Sequence, residues 1–348
     1  MRNPEIFAIW LCKPGTYMMP LLYEACIATW QVMNRDFQTV VYTDNPELKF
    51  NLLSKDTTEV RLIQDVIPEA LEEANKIITD DVPAGMRFAH RSDYIRYSIL
   101  AKFGGIYIDC DLVCISPIED LVRNNMEEGI GVIMAYEDTM RICNAFLACL
   151  NEDGKMFYED IVENYKKRYV KTSYTYNSIK YPMLLKNRLQ GAVTILPFKE
   201  GMFYPNWEKN ENGDLGILKT DIAPDCVRGY GVHLYNTDPK WKEFRDMLTA
   251  NLYCYDTLNW WFLKHINECM DKYMDMMVNS ETRNILMDNI LVKNLKELYG
   301  EQYLDQFKAK GGIVVEPIVA EKYQDPSDSS YKKYECLGYN IRRSEDGE

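Results

Sequence analysis

The stretch that decides the fold runs Met86-Arg-Phe-Ala-His-Arg-Ser-Asp-Tyr-Ile-Arg-Tyr-Ser-Ile-Leu-Ala-Lys-Phe-Gly-Gly-Ile-Tyr-Ile-Asp-Cys-Asp111. Phe88, Ser92, Ile95, Ile99 and Phe103 recur at helical intervals, which predicts an amphipathic helix over Met86 to Phe103. Gly104-Gly105 supplies a helix stop, because glycine enters the left-handed backbone region without a Cβ penalty. Ile106 to Asp111 then reads as a buried strand ending in two carboxylates. A helix that stops on glycine and feeds a short apolar strand is the repeating half of a layered α/β sheet.

Working outward, the same alternation appears on both sides. Ile6 to Leu11 reads as a strand, Leu21 to Met33 as a helix, Asp36 to Tyr42 as a strand and Ile67 to Ile78 as a helix. This strand–helix–strand opening predicts a parallel sheet. Downstream, Pro117 closes a short connection into Ile118 to Arg123, Gly131 to Tyr136 reads as a strand, Asn144 to Leu150 as a helix-like run and Met156 to Val170 as a charged helix. Val193 to Leu196 and Val232 to Tyr235 read as short strands, and Trp241 to Ala309 as predominantly helical. Gly311 to Glu316 fits a late strand, and the chain beyond Tyr323 is polar and loosely held. The expected organisation is a catalytic domain over 1–240 with a helical insertion near 151–190, a helical region over 241–322 and a polar tail over 323–348.

Composition narrows the classes of function. The chain has 348 residues, 47% of them hydrophobic and 27% charged, which supports a sizeable folded core. Forty Lys and Arg against 53 Asp and Glu give a formal charge of −13, opposite to the basic footprint that nucleic acid requires. The apolar runs are too short for a membrane span, which leaves room only for peripheral membrane contact. Glu5 and the lack of a small-residue cleavage site speak against a signal peptide in the first residues. The 10 cysteines include no Cys-x-x-Cys pair, and there is no Asn-x-Ser/Thr sequon. Buried free thiols in a reducing, cytoplasmic setting are the reading that fits.

Asp109 and Asp111 lie two apart at the predicted strand end, where the pleat would turn both carboxylates to one side. Such pairs hold divalent cations through oxygen ligands. A D-x-D alone is frequent by chance, so the context carries the weight. Asp93 and Arg96 are i and i+3 on the preceding helix and can meet each other and a shared ligand. Arginine suits phosphate oxygens, and a carboxylate accepts from sugar hydroxyls.

Ser92-Asp-Tyr-Ile-Arg-Tyr97 followed by Phe103-Gly-Gly-Ile-Tyr-Ile-Asp-Cys-Asp111 resembles the signature of the retaining GT-A glycosyltransferases of the DXD sugar-transferase group. That group contains yeast-type α-mannosyltransferases, capsular and lipopolysaccharide sugar transferases and the glucosylating domains of clostridial toxins. The resemblance is clear over about residues 86–121 and weaker over 1–240, where Ile9-Trp10, Cys143-Asn144-Ala145, Phe203-Tyr-Pro205 and Val232-His-Leu-Tyr235 fit the pattern. Two features depart from it. Tyr181-Pro182 stands where the family often has Gly-Pro, and His233 continues into Leu-Tyr-Asn rather than tryptophan.

The resemblance implies a GT-A nucleotide-sugar-binding fold, a nucleotide-diphosphate sugar donor (UDP-sugar first, GDP-mannose second), a hydroxyl acceptor on a glycan or other molecule, and Mn²⁺ or Mg²⁺. It implies Asp111 as a direct metal ligand and Asp109 on the ribose and the metal shell, with His233 closing that shell. It places the donor sugar on Asp93 and Arg96, with Tyr107 and Asn144 lining the pocket and Trp10 stacked on the base. Asp93, Arg96, Asp109 and Asp111 are the expected catalytic set.

Other readings compete. Asp109-Cys-Asp111-Leu-Val113 also fits the motif of haloacid-dehalogenase-type, Mg-dependent phosphatases, whose first aspartate is the nucleophile. That fold puts the motif on its first strand, and here about a hundred residues precede it. A catalytically degenerate sugar-binding protein is the non-enzymatic reading. The tyrosines at 165, 169, 174, 176 and 181 suit either an acceptor-sugar platform or a half-buried helix flank. Trp260, Trp261 and the methionines at 270, 274, 276 and 277 read as helix-packing residues.

Overall fold

Ile6, Phe7, Ala8 and Ile9 are all buried, and the strand they form, β1 (Ile6–Trp10), lies near the middle of the main sheet. The computed structural model describes residues 4–276, except 14, 55–56, 139–140, 174, 187–191, 198–200, 204–213, 226, 228, 236–240 and 253–257, together with 314–317 and 339–342. Two compact units result. The first comprises Met1–Pro205 and Asp225–Leu234, and the second Asn206–Pro224 and Tyr235–Glu348.

The first unit is built on a seven-stranded sheet in the order β3-β2-β1-β4-β7-β6-β8. Its strands are β1, β2 (Thr39–Thr43), β3 (Thr58–Leu62), β4 (Gly105–Ile108), β6 (Val132–Tyr136), β7 (Ile142–Cys149) and β8 (Val193–Leu196). Pairings are parallel except around β7, which runs antiparallel to both β4 and β6. The mostly parallel α/β sheet expected from the sequence is therefore present. Its C-terminal edge gathers the ends of β1, β2 and β4 with the start of β7, the edge at which open α/β sheets bind ligands. A smaller sheet joins β5 (Leu112–Cys114), β10 (Gly231–His233) and β9 (Met202–Phe203).

Helix α1 (Leu21–Met33) underpins β5 through polar contacts that its apolar pattern does not announce. The Trp30 indole donates to Leu112 O at 2.7 Å, Thr29 Oγ1 accepts from Cys114 N at 2.8 Å and Asn34 Oδ1 accepts from Ile118 N at 2.7 Å. The long helix α4 (Ala84–Phe103) ends at the diglycine, as predicted. Gly104 and Gly105 have φ of 73° and 105°, and a Cβ on either would approach Cys149 O or Glu5 O to within 3.1 or 3.0 Å. Glycine is needed here for both conformation and clearance, and it lets β4 dock between β1 and β7.

Three local expectations are corrected. Asn144 to Leu150 is not helical. It lies in β7, since a short continuous apolar run carries no period that separates strand from helix. Strand β3 was not foreseen, because Thr58-Glu-Val-Arg-Leu62 offers only two apolar residues, Val60 and Leu62, too few to establish a period on a partly exposed sheet edge. Strand β4 stops at Ile108, and Asp109 to Asp111 form a turn closed by Leu112 N to Asp109 O at 3.0 Å. The two carboxylates thus converge through a turn between β4 and β5 rather than through a strand pleat.

Residues 151–190 contain α6 (Glu152–Arg168), a π-helical turn at Tyr176–Lys180 and α7 (Tyr181–Lys186). The second unit includes α8 (Asp214–Leu218), α9 (Lys242–Ala250) and α10 (Trp261–Met276). Met270 and Met274 are buried in α10 as packing residues. The rest of the expected helical region, 277–309, lies outside the described residues, and so does the polar tail apart from 339–342. There β12 (Tyr339–Arg342) pairs antiparallel with β11 (Val314–Pro317). Among the described residues no helix is long and apolar enough to cross a membrane.

Candidate active site

The turn Asp109–Asp111 faces β10, whose register places His233 opposite Leu112, and Leu234 N donates to Asp111 O at 2.9 Å. His233 Nε2 stands 3.2 Å from Asp111 Oδ1 and 3.5 Å from Asp109 Oδ2. One ligand atom from each of Asp109, Asp111 and His233 falls within a mutual 4.8 Å. Two carboxylates and an imidazole this close form a donor set for a divalent cation, and they converge across 122 residues of sequence. Electrostatics agree. Burial alone would lower the His233 pKa, but Asp111 and Asp109, with the Cys143 side chain, hold it well above the usual histidine range. The carboxylate pocket therefore favours a positive charge.

Arg96 ties this centre to α4. Its guanidinium reaches Asp109 Oδ1 at 3.1 Å and Asp93 Oδ1 at 3.2 Å, and it donates to Asn144 O at 2.8 Å. It also lies over the Tyr107 ring, 4.2 Å from the centroid, while the Tyr107 hydroxyl donates to Asp109 Oδ1 at 2.5 Å. Burial would raise the Asp109 pKa, but Arg96 and His233 hold it down to about 2. Asp93 differs. It accepts from Asn144 Nδ2 at 2.7 Å and lies 3.5 Å from the Tyr165 hydroxyl, and burial pushes its pKa up to about 6 despite Arg96.

Asn144 owes its role to an irregularity. The register of β6 against β7 shifts between Met134, opposite Leu147, and Ala135, opposite Cys143. Residues 144–146 are skipped in that ladder, which frees Asn144 to offer its carbonyl to Arg96 and its amide to Asp93.

The structure thus brings Asp93, Arg96, Tyr107, Asp109, Asp111, Asn144 and His233 into one cluster. Trp10 stands apart from these contacts. It is half-buried at the end of β1, opposite Thr43, with its ring 5.3 Å from that of Tyr23. Tyr165 is wholly buried, which removes it from any acceptor platform. Tyr174, Tyr204 and Pro205 lie outside the described residues. Sequence reasoning missed Tyr165 as a partner of Asp93, Cys143 as a partner of His233, and Glu137, whose half-buried carboxylate interacts electrostatically with His233. None carries a local motif. Tyr165 reaches Asp93 from α6, which packs on α4, whereas the pairing of β6 with β7 brings in Cys143 and Glu137.

Comparison with known proteins agrees with the motif. Residues 22–128 match the family described as glycosyltransferase sugar-binding region containing DXD motif. An uncharacterized protein of Arabidopsis thaliana is 26% identical over 163 residues, which cover 42% of this chain and 24% of that protein. The chain thus spans about a quarter of that relative's length. Among solved structures, the galactosyltransferase LgtC in complex with donor and acceptor sugar analogues is similar at a TM-score of 0.42 and 11% identity, over 80% of this chain and 99% of that one. Mouse xyloside xylosyltransferase 1 gives 0.39 and 10%, over 68% and 99%, and the PaToxG glycosyltransferase 0.38 and 16%, over 54% and 70%. Residues 22–128 are a glycosyltransferase sugar-binding region carrying a DXD motif, Asp109-Cys-Asp111.

Proposed function

We propose that this protein transfers a hexose from a nucleotide-diphosphate sugar to a hydroxyl acceptor, with retention at the anomeric carbon. The observation that carries the reading is the convergence of Asp109, Asp111 and His233 beside the Asp93–Arg96–Asn144 network. The donor set fits Mn²⁺ or Mg²⁺, with Asp109, Asp111 and His233 as the holding residues, and imidazole tilts the choice toward Mn²⁺. When bound, the cation offsets the negative charge that grows on the departing diphosphate.

The chain's own residues do the rest. Asp93 offers a carboxylate to the sugar hydroxyls. Arg96 faces the same sugar while its bonds to Asp93, Asp109 and Asn144 fix the spacing between sugar and cation ends. Tyr107 holds Asp109 in place. Trp10, at the same sheet edge, provides a face for the base. A UDP-sugar is the first candidate donor and GDP-mannose the second. A catalytic domain within 1–240, a cytoplasmic setting and a glycan acceptor complete the reading.

The phosphatase alternative needs its aspartate after the first strand of the sheet, whereas Asp109 follows β4 and is braced by Arg96, Tyr107 and His233. The test is incubation with Mn²⁺ and UDP-Glc, UDP-Gal, UDP-GlcNAc, UDP-GalNAc or GDP-Man, with the products identified. Nucleoside diphosphate supports the transferase. Inorganic phosphate supports the phosphatase, and tight binding with neither product supports a degenerate sugar-binding protein.

A further inference from the structure

Helix α6 turns the tyrosines at 158, 165 and 169 toward α4, and the contacts run in opposite directions down the two helices. Tyr158 stacks on Tyr97 with ring centres 6.0 Å apart, Tyr165 meets Tyr94 edge-on at 5.6 Å, and the Tyr169 hydroxyl bonds His90 Nδ1 at 2.5 Å. Phe157, fully buried on the same helix, shows that a plain ring also serves for packing there. Tyr165 is 0% exposed, so its hydroxyl adds little to packing and needs a polar partner. Asp93 Oδ2, 3.5 Å away, is that partner.

We propose that Tyr165 is a positioning residue for the donor sugar, its hydroxyl holding the Asp93 carboxylate turned toward the sugar hydroxyls. The inference rests on the reading of Asp93 as the group that receives the sugar. Asn144 Nδ2 and the Arg96 guanidinium hold Oδ1 at 2.7 and 3.2 Å, and Tyr165 approaches Oδ2 from the other helix. The terminal torsion of an aspartate is broad, so contacts on one oxygen leave the carboxylate plane loosely set and a contact on each oxygen sets it. An ionised carboxylate oxygen has two lone-pair sites, and the long approach of Tyr165 leaves room on Oδ2 for a sugar hydroxyl. Tyr165 stacks on Tyr169 with ring centres 5.9 Å apart, and the bond from Tyr169 to His90 anchors that stack to α4. Helix α4 thus supplies the carboxylate, and α6 supplies its orientation.

The experiment is calorimetric titration, in Mn²⁺, of the nucleotide sugar that wild type turns over and of its nucleoside diphosphate alone. The proteins are wild type, Tyr165→Phe, Asp93→Asn and the double variant, with a thermal melt of each. Tyr165→Phe keeps the ring and removes the hydroxyl. It is expected to weaken binding of the nucleotide sugar by about tenfold, the size of one hydrogen bond to a charged group, and to leave the diphosphate at wild-type affinity. In the Asp93→Asn background the same change is expected to have no further effect, because a residue that acts through Asp93 couples to it. Tyr165→Met fills the space without the hydroxyl and carries the same expectation should the phenylalanine variant not fold. Unchanged affinity for the nucleotide sugar overturns the positioning role. So does an equal loss for nucleotide sugar and diphosphate, or a loss that adds in full to that of Asp93→Asn, since either marks a general packing effect. A wild type that turns over no nucleotide sugar overturns the donor reading itself and this inference with it, so the two failures are distinguishable.

Discussion

Two buried sets of carboxylates in the first unit are satisfied in opposite ways. Glu24 on α1 is wholly buried and, among the described residues, accepts only from the segment that follows β2. Its partners are the amides of Asn51, Leu52 and Leu53 at 2.5–3.1 Å and the Asn51 side chain at 3.0 Å. Asp93, Asp109 and Asp111 draw most of their partners from side chains: Arg96, Asn144, Tyr107 and His233. Main-chain donors are fixed by the fold and leave nothing to exchange. Side-chain partners around a cluster of negative charge can be replaced by a cation or a sugar hydroxyl. On the proposed function, the difference separates a carboxylate that builds the fold from carboxylates whose partners a ligand can replace.

The comparison can be broken most sharply at Asp111. Asp111→Asn is expected to cut turnover by roughly a thousandfold or more, about 4 kcal/mol of transition-state stabilisation, with little change in melting temperature. Steady-state kinetics beside a thermal melt check it, and a folded variant with near-normal turnover contradicts it. Glu24→Ala should do the reverse. It leaves several buried amides unpaired and is expected to destabilise the protein by about 3 kcal/mol or more in urea unfolding, while Mn²⁺ affinity of the folded protein stays unchanged.

Asp93 is the member of the second set that burial penalises despite its partners. Its pKa is raised to about 6 in the folded state, above the ordinary carboxylate value, so the folded form binds more protons than the unfolded form between about pH 4 and 6. The stability this contributes is complete below the unfolded pKa and is lost as pH rises through about 6. A shift of about two units corresponds to about 3 kcal/mol. Urea midpoints of wild type and Asp93→Asn should therefore drift apart in favour of the variant as pH rises from about 4 to 7, while the variant loses activity. Parallel pH curves would show that Asp93 is not penalised by its burial. The smallest effect is expected at Trp10, where replacement by alanine should raise the donor KM by an amount worth about 1–3 kcal/mol with only modest loss of stability. A destabilised variant with unchanged KM assigns Trp10 to the core.

Much of this was legible in the sequence because the signals are local. The spacing of Phe88, Ile95, Ile99 and Phe103, the diglycine stop and the apolar strand after it lie within one short stretch, and the structure follows them closely. The carboxylate pair was legible for the same reason. What the sequence concealed depends on pairing between distant strands. Nothing in Asn144-Ala-Phe-Leu-Ala-Cys149 distinguishes a helix from the antiparallel strand it forms, and the register shift between β6 and β7 that frees Asn144 for Asp93 has no local signal. His233 was visible as one of three histidines, but its approach to Asp111 is set by β10 pairing with β5. His90 and His265, for which the sequence offers no partner, meet the Tyr169 hydroxyl and the Cys269 thiol.

The most direct test of the central claim, that Asp109, Asp111 and His233 form a cation centre serving a nucleotide-diphosphate sugar, is calorimetric titration of UDP and of GDP into the protein with and without Mn²⁺. The account predicts that Mn²⁺ strengthens binding of one of these nucleotides to wild type by tenfold or more, and that this gain vanishes in Asp111→Asn while the weak metal-free binding remains. A gain that persists in folded Asp111→Asn, or no Mn²⁺ effect on either nucleotide in wild type, would contradict it.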